Sequence, residues 1–335
     1  MAEYSGLILG GPEKGVVGPG LVWGFDIEDA GAIPIDECDG QQGGALRWLH
    51  FSLANHGTRQ WIEKQADLPE PVRDMLLSPE THQRALVEGG AIGCVLHDFE
   101  RDFNVKTTNS LGPLRVALTA RRVITVRLHP MRFADTVRAR LEAGANVDGP
   151  AGALDLLVGV IAENAGAIAH TLAAQVQGAE DALLDGRDPP TQRAMITLRR
   201  RLAQLHRMVD GMRRVIQRLE HDAELPAEIG PTVEKLAQRL QAVDGDIQEA
   251  QGQLRLLRDE IQALEAQRTN QNLYVLSIVT ALLLPATLVT GLFGMNTGGL
   301  PFADGPWGTL HAAVIAAGAA LATYLLLRKL GFMQR

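Results

Sequence analysis

Hydroxyl-bearing residues and glycines recur at helical spacing along one apolar stretch near the C-terminus. At alternating steps of four and three residues, they share one stripe of a helix with two leucines. The members of this stripe are Leu273, Ser277, Thr280, Leu284, Thr287, Gly291 and Gly294. Such residues can let helices pack closely. Alternatively, they can line a pore, where hydroxyls bind a cation's hydration shell and a ring of leucine side chains from several subunits closes the path by excluding water. Both interpretations are open, although a stripe facing lipid would not concentrate hydroxyls.

This stretch carries no charged group that could hold an ion. From Thr269 to Ala303 the sequence has no Asp, Glu, Lys or Arg, so an ion path here would act through dipoles and retained water. The spans Leu273–Phe293 and Thr309–Leu327 each supply about the 20 residues that a helix needs to cross a hydrocarbon core. Two such spans favour a membrane hairpin over the alternative, a buried hairpin of a soluble fold. Two spans cannot enclose a water path, so a pore requires several copies of the chain.

Basic residues predict the orientation of the hairpin. The loop between the spans has no Lys or Arg, whereas Arg268 precedes the first span and Arg328, Lys329 and Arg335 follow the second. Because cytoplasmic flanks of membrane spans are enriched in basic residues, both ends of the chain are expected in the cytoplasm and the loop outside.

Two heptad patterns upstream predict an antiparallel helical hairpin. The seam of the first arm consists of Met195, Leu198, Leu202, Leu205, Val209, Met212, Ile216 and Leu219. The seam of the second arm consists of Val233, Leu236, Leu240, Val243, Ile247, Ala250, Leu254, Leu257, Ile261 and Leu264. Since no proline lies between Pro231 and Pro285, one helix is expected from about Thr232 through the first span, on the order of 60 residues. Another helix is expected at Ala153–Leu184.

The two arms differ in charge. The first arm bears Arg193, Arg199, Arg200, Arg201, Arg207, Arg213, Arg214 and Arg218. The second arm bears Asp244, Asp246, Glu249, Asp259, Glu260 and Glu265. One interpretation is a set of solvated faces with pairing between the arms. The other is that some carboxylates face a neighbouring subunit and bind cations there.

The first 150 residues mix strand and helix patterns and predict an α+β domain. Strands are expected at Leu21–Asp26, Ala45–Leu53, Ala91–Asp98, Leu114–Thr119 and Val123–Leu128. Helices are expected at Thr58–Gln65, Pro71–Leu76 and Phe133–Glu142.

Several function classes are disfavoured by composition and motifs. No phosphate loop, nucleophile elbow or HExxH motif is present, so no enzyme activity and no cofactor are predicted. The formal net charge of −7 argues against nucleic acid as a partner. Cys38 and Cys94 are expected to be inert thiols, and the nine histidines are scattered without a pair four residues apart.

The C-terminal pattern resembles the CorA metal-ion transporter family. A long helix runs into "LLLPATLVTGLFGMN", and a second span then ends in a short basic tail. The triplet Gly294-Met295-Asn296 stands at the outer end of the first span, as it does in that family. The resemblance in the membrane region covers about Asn270–Arg335, and the order and size of the upstream regions agree.

The resemblance implies a funnel-shaped homopentamer of the bacterial inner (cytoplasmic) membrane, whose partners are its own copies, membrane lipid and divalent cations. It implies that Asn296 rings the outer mouth and holds a hydrated cation. It also implies that Leu273, Leu284 and Thr287 line the path and that Asn270 lies at the cytoplasmic entrance.

The loop sequence "NTGGLPF" is similar to the ZntB zinc-transporter branch, because magnesium-transporting members carry an acidic residue soon after the triplet. Here the nearest acid is Asp304. Some ZntB members vary the middle residue of the triplet, whereas this chain keeps Met295, which leaves magnesium or cobalt open. The sequence therefore predicts Zn²⁺ transport, with or without proton coupling, and Mg²⁺ or Co²⁺ transport is the alternative.

These patterns divide the chain into six regions. We expect a cytoplasmic domain (1–150), a helical stalk or hairpin (151–270), a pore-lining span (271–295), an outer loop with the triplet (296–308), a second span (309–328) and a cytoplasmic tail (329–335).

Overall fold

The computed structural model describes residues 18–28, 31–36, 43–65, 67–101, 110–187, 190–295 and 307–330. The strands are β1 Leu21–Glu28, β2 Gly31–Ile35, β3 Leu46–Ser52, β4 Arg84–Glu88, β5 Ala91–Phe99, β6 Leu111–Leu118 and β7 Arg122–Arg127. The helices are α1 His56–Glu63, α2 Glu70–Leu77, α3 Arg132–Glu142, α4 Gly149–Leu184, α5 Gln192–Glu220, α6 Gly230–Gly294 and α7 Gly308–Lys329. The chain forms two compact units, Met1–Leu256 (the sheet unit) and Leu257–Arg335 (the apolar unit).

The seven strands form one mixed sheet in the order β2-β1-β3-β7-β6-β5-β4. Neighbouring strands are antiparallel except β3 and β7, which run parallel in its interior. Side chains alternate between the faces, so Leu49 and Phe51 pack in a cluster with α1 and α2. On the opposite face, His50 contacts the Phe133 ring of α3 at 5.5 Å. Helices therefore cover both faces of a sheet that is mainly antiparallel, and the predicted α+β class is confirmed.

All five predicted strands are present, but two strands were missed. β2 contains Pro34, which cannot donate to a ladder, and it lies at a sheet edge where proline is tolerated. β4 is only five residues long and forms the other edge. Neither segment alternates clearly between polar and apolar residues. Each is a strand because it pairs with a neighbouring strand of the sheet, and that pairing is not visible in its own sequence.

The α5–α6 hairpin is antiparallel, as predicted. Gln251 Nε2 donates to the carbonyl of Leu202 at 3.2 Å, and His206 Nδ1 lies 2.7 Å from Asp244 Oδ1. Residue numbers thus fall along α5 as they rise along α6. The predicted seam of α6 is buried as far as Leu257, with Val243 half-buried, whereas Leu264 is exposed.

The apolar unit contains the second half of α6 and all of α7. From residue 271 onward, its half-buried residues lie on one stripe of each helix, as expected if the two helices pack together. On α6 they are Ile278, Ala281, Leu282, Pro285, Ala286, Val289 and Phe293. On α7 the stripe consists of the buried Ala316 and the half-buried Gly308, Ala312, Ala319, Ala320, Thr323, Tyr324 and Leu327. The small residues of α7 permit close approach of another helix.

Candidate cation pathway

All seven residues of the predicted stripe lie on α6, and all are solvent-exposed in the single chain. Leu273 and Leu284 are 55% and 64% exposed, large fractions for leucine. Asn270 is exposed on the same helix, one turn before Leu273. The stripe is thus continuous over about six turns.

The stripe lies on the side of α6 that faces away from the half-buried stripe. With 100° per residue, the centres of the two stripes are separated by about 165° around the helix axis. Leu282 belongs to the half-buried stripe, whereas Leu284, two residues on, does not. Packing within the described part of one chain therefore does not account for the hydroxyls and glycines.

The hydroxyl hydrogens of the stripe are bonded to the helix backbone. Ser277, Thr280 and Thr287 each donate to the carbonyl four residues earlier, and each oxygen–oxygen distance is 2.8 Å. A hydroxyl has one hydrogen and two lone pairs. With the hydrogen engaged, each oxygen presents acceptor lone pairs to the space beside the helix. Water bound to a cation points its hydrogens outward, so such acceptors suit a hydrated cation.

Apolar side chains flank these hydroxyls and form an open groove along the helix. The groove is lined by Leu276, Val279, Thr280, Leu283, Leu284, Thr287, Leu288, Gly291, Leu292 and Met295. The flanking residues Leu276 and Leu288 were not among the predicted site residues. They lie four residues before Thr280 and four after Leu284, so a wider search of the helical wheel would have found them.

The structure describes only part of the predicted mouth. Gly294 is the last residue of α6, and Met295 follows it with 54% of its surface exposed. The Met295 N–H donates to the carbonyl of Leu292 at 3.3 Å, a 3₁₀-type bond that closes the last turn of the helix. Asn296 lies outside the described residues.

The charged residues of the stalk show local pairing rather than a metal cluster. Asp244 is buried and accepts from Gln248 Nε2 at 2.8 Å, besides its contact with His206. Asp210 pairs with Arg213 and Arg214 on its own helix. Among the described residues, no group of three or more His, Cys, Asp or Glu could hold a metal. A carboxylate site that uses a neighbouring subunit stays a prediction.

Two buried titratable groups of the sheet unit have shifted pKa values. Burial raises the pKa of the Cys94 thiol to about 12, so this cysteine is inert, as predicted. Cys38 lies outside the described residues. Burial lowers the pKa of His50 well below its usual value, and the charge of Arg127 adds to this effect. His50 is therefore a neutral core residue rather than an acid–base group.

Sequence comparison relates most of the chain to known transporters. Residues 43–329 match the family described as CorA-like Mg2+ transporter protein. The chain is 29% identical over 306 residues to the divalent cation transporter CmaX of Pseudomonas aeruginosa, which covers 85% of this chain and 87% of that protein. It is 26% identical over 296 residues to the zinc transport protein ZntB of Pectobacterium carotovorum, which covers 86% of this chain and 89% of that protein.

Solved structures show the same fold. The full-length CmaX structure superposes with a TM-score of 0.75 at 26% identity, covering 96% of this chain and 99% of that one. The CorA magnesium transporter of Methanocaldococcus jannaschii superposes with a TM-score of 0.76 at 16% identity, covering 93% and 98%. The fold similarity thus extends over the sheet, the stalk helices and the apolar helices. With the family match covering 287 of 335 residues, the chain belongs to the CorA-like family of divalent-cation transporters.

Proposed function

We propose that this protein carries divalent metal cations across the bacterial inner membrane, through a pore lined by α6 from each copy of a homopentamer. The observation that carries the proposal is the exposed stripe of hydroxyls, glycines and leucines on α6, on the side opposite the face that packs. Family membership supports the same role. Zn²⁺ is the favoured cargo.

The pore needs several chains because one copy supplies only one stripe. Five copies with their stripes facing a common axis would form successive rings of Ser277, Thr280 and Thr287 hydroxyls. The lone pairs of these rings would accept hydrogen bonds from the water around the cation, so the ion could pass without losing its whole shell. Neutral oxygens hold a cation less tightly than carboxylates do, which favours release as well as capture.

Asn296 is proposed to form the outer mouth together with Gly294 and Met295. Glycine at the end of α6 would let five chains crowd together, and the amide oxygen of Asn296 would contact a hydrated ion. At the other end of the path, Asn270 is proposed to stand at the cytoplasmic entrance. Between them, Leu284 would form an apolar neck that resists wetting and holds back ions.

The regions 1–150 and 151–270 are proposed to be cytoplasmic, with the loop 296–308 outside and both termini inside. The support is the placement of basic residues. Arg268 precedes the first span and Arg328 and Lys329 end α7, whereas the loop has no Lys or Arg. Negative charge on the stalk would add attraction for cations over a range that salt limits.

The choice of Zn²⁺ rests on the neutral "NTGGLPF" loop and on similarity to ZntB. Mg²⁺ or Co²⁺ is the second candidate, because the triplet retains Met295 and because the solved relatives include a magnesium transporter. The path carries no carboxylate or histidine, so proton coupling would have to use water or groups at its two ends.

Ion uptake into liposomes tests the proposal directly. Purified protein is reconstituted, and uptake of Zn²⁺, Mg²⁺ and Co²⁺ is measured with and without a pH gradient, with protein-free liposomes as the control. We expect saturable uptake that is highest for Zn²⁺. Faster Mg²⁺ or Co²⁺ uptake would favour the second candidate. Absence of uptake for all three ions by an intact oligomer would reject transport in favour of a membrane-tethered scaffold.

A further inference from the structure

Three helices of the sheet unit meet at one carboxylate. Glu163 of α4 accepts a hydrogen bond from Arg239 Nη2 of α6 on Oε1, at 2.6 Å, and another from Arg140 Nη2 of α3 on Oε2. The hydrogen bonds from Arg140 and Arg239 hold the pKa of Glu163 below its usual value despite partial burial. The carboxylate is therefore ionised at neutral pH and links α6 to α3 and α4.

A buried glycine makes room for this link. A β-carbon added at Gly159, one turn before Glu163 on α4, would lie 3.0 Å from Arg239 Nη1. The Arg239 side chain thus lies across Gly159. A glycine inside a helix is less favourable than alanine, and here it admits a guanidinium.

A second ion pair connects the same two helices one turn earlier on α6. Lys235 Nζ lies 2.9 Å from Asp155 Oδ2. The residues Asp155, Gly159 and Glu163 are spaced by four on α4, and Lys235 and Arg239 are spaced by four on α6. The contacts therefore fix one register of α6 against α4, both along the axis and around it.

We propose that Glu163 is a positioning residue for the pore helix: by sharing its carboxylate between Arg140 and Arg239, it sets the position of α6 and thereby the rate of ion passage. This inference rests on the proposed function. It follows from the continuity of α6, because Arg239 and the stripe belong to one helix that has no break between Gly230 and Gly294.

The three side chains are partly exposed, so their ion pairs are better suited to adjusting the position of α6 than to stabilising the fold. Arg140, Glu163 and Arg239 are 41%, 39% and 36% exposed. Ion pairs at such sites contribute little to stability. A small preference can nevertheless shift a balance between two arrangements severalfold. Loss of the link should therefore alter transport while leaving melting nearly unchanged.

The test compares variants that break the link in different ways. Glu163→Gln removes the charge. Gly159→Ala places a methyl group 3.0 Å from Arg239 Nη1 and so forces the guanidinium to shift by a few tenths of an ångström, without removing any charge. Each should change Zn²⁺ uptake per oligomer about threefold or more, in the same direction. In an Arg239→Gln background, Gly159→Ala should have no further effect, because the group that it displaces is gone.

Matched controls are available in the same unit. Glu142→Gln removes a half-exposed carboxylate that pairs with Arg138 within α3. Gly178→Ala adds a β-carbon to α4 where no atom lies within 4 Å. Both should leave uptake as in the wild type.

A distance measurement separates this inference from the transport proposal. Spin labels at Thr171→Cys on α4 and Gln241→Cys on α6, in a Cys38→Ser background, report helix position in detergent without any ion flux. Glu163→Gln and Gly159→Ala should shift or broaden the distance, and the controls should not. If the wild-type protein carries no ion but the two variants still shift the distance between the labels, the transport proposal fails and the effect of Glu163 on helix position stands. The inference would be overturned if the label distances do not change. It would also be overturned if Gly159→Ala has the same effect in the wild type and in the Arg239→Gln background.

Discussion

Helices α4 and α7 are both long and apolar enough to cross a membrane, yet their surroundings differ. Half of the most apolar window of α4 is buried within the protein, compared with 6% for α7. Leu157 and Ile161 of α4 are fully covered, whereas Leu321 and Leu325 of α7 are more than half exposed. Length and composition therefore permit a membrane span, and what covers the apolar surface decides whether one is needed.

Helix α6 contains both situations in one element. Its heptad seam is covered from Val233 to Leu257, whereas its apolar window contains no fully buried residue. Water is a poor solvent for such a surface, because each buried apolar area of about 40 Å² contributes roughly 1 kcal/mol. The apolar unit therefore requires lipid or further copies of the chain, and the sheet unit does not. We accordingly expect truncation of buried core side chains to lower stability mainly in the sheet unit, and changes along the exposed stripe to alter mainly ion flux.

The largest expected effect is on flux. Asn296→Ala should abolish uptake while leaving oligomer content and melting as in the wild type, because the residue is proposed to contact the ion rather than the packed helices. Liposome uptake and mass measurement in detergent would be compared for both proteins. Undiminished uptake would show that the mouth has been assigned to the wrong residue.

The next effect is on stability and tests the comparison between α4 and α7. Leu157→Ala should lower the free energy of unfolding by about 2–5 kcal/mol, because it leaves a cavity in a packed core. The same change at Leu321, which is 58% exposed, should cost much less. Thermal melting of the two detergent-solubilised variants gives the ranking. Equal losses would mean that α7 is packed as tightly as α4.

A smaller, severalfold effect distinguishes the two faces of α6. Leu284→Ser should wet the proposed neck, raise cation uptake per oligomer and reduce selectivity among cations. Leu282→Ser, on the half-buried stripe, should instead impair assembly without raising uptake. Both are measured at matched oligomer content. If Leu284→Ser lowers or preserves uptake, Leu284 has no gating role.

The last predicted effect concerns pH and lies in the sheet unit. Asp98 is buried and its pKa is raised from 3.8 to about 6, chiefly by burial, although it accepts from the Phe133 N–H at 2.8 Å. Between these values, the folded protein holds a proton that the unfolded chain releases. The stability that this group contributes is therefore present at low pH and is lost as the pH rises toward 6.

Asp98→Asn keeps an acceptor for the Phe133 N–H and cannot ionise. It should flatten the fall in melting temperature between about pH 4 and 6. Above pH 6 it should raise the free energy of unfolding, by no more than roughly 3 kcal/mol. Fluorescence of the buried Trp23 and Trp48 reports the unfolding of this unit. An unchanged slope would assign the pH dependence to other groups.

Local patterns were sufficient to predict the long helices and the central strands. The absence of proline between Pro231 and Pro285 predicted α6 as one helix, and Pro285 lies inside it without ending it. The steps of three and four predicted which residues share the exposed stripe. These features repeat within a few residues and therefore appear in the sequence itself.

The contacts between distant segments could not be predicted in the same way. Glu163 is 23 residues from Arg140 and 76 from Arg239, and nothing local marks these three as partners. Likewise, His206 and Asp244 stood in separate patterns, as a scattered histidine and an acid of the second arm. The exposure of Leu284 and the half-burial of Leu282 depend on which face of α6 the rest of the fold covers, which the spacing alone does not specify.

The central claim is that the stripe on α6 faces water along an ion path. Single cysteines from residue 273 to 294, in a background without native cysteines, can be tested in liposomes with a membrane-impermeant thiol reagent. We predict reaction at positions 277, 280, 284, 287 and 291, with loss of Zn²⁺ uptake at each, and protection at 278, 282, 286 and 289. Protection of the first set, or reaction of the second set with equal loss of uptake, would contradict the account.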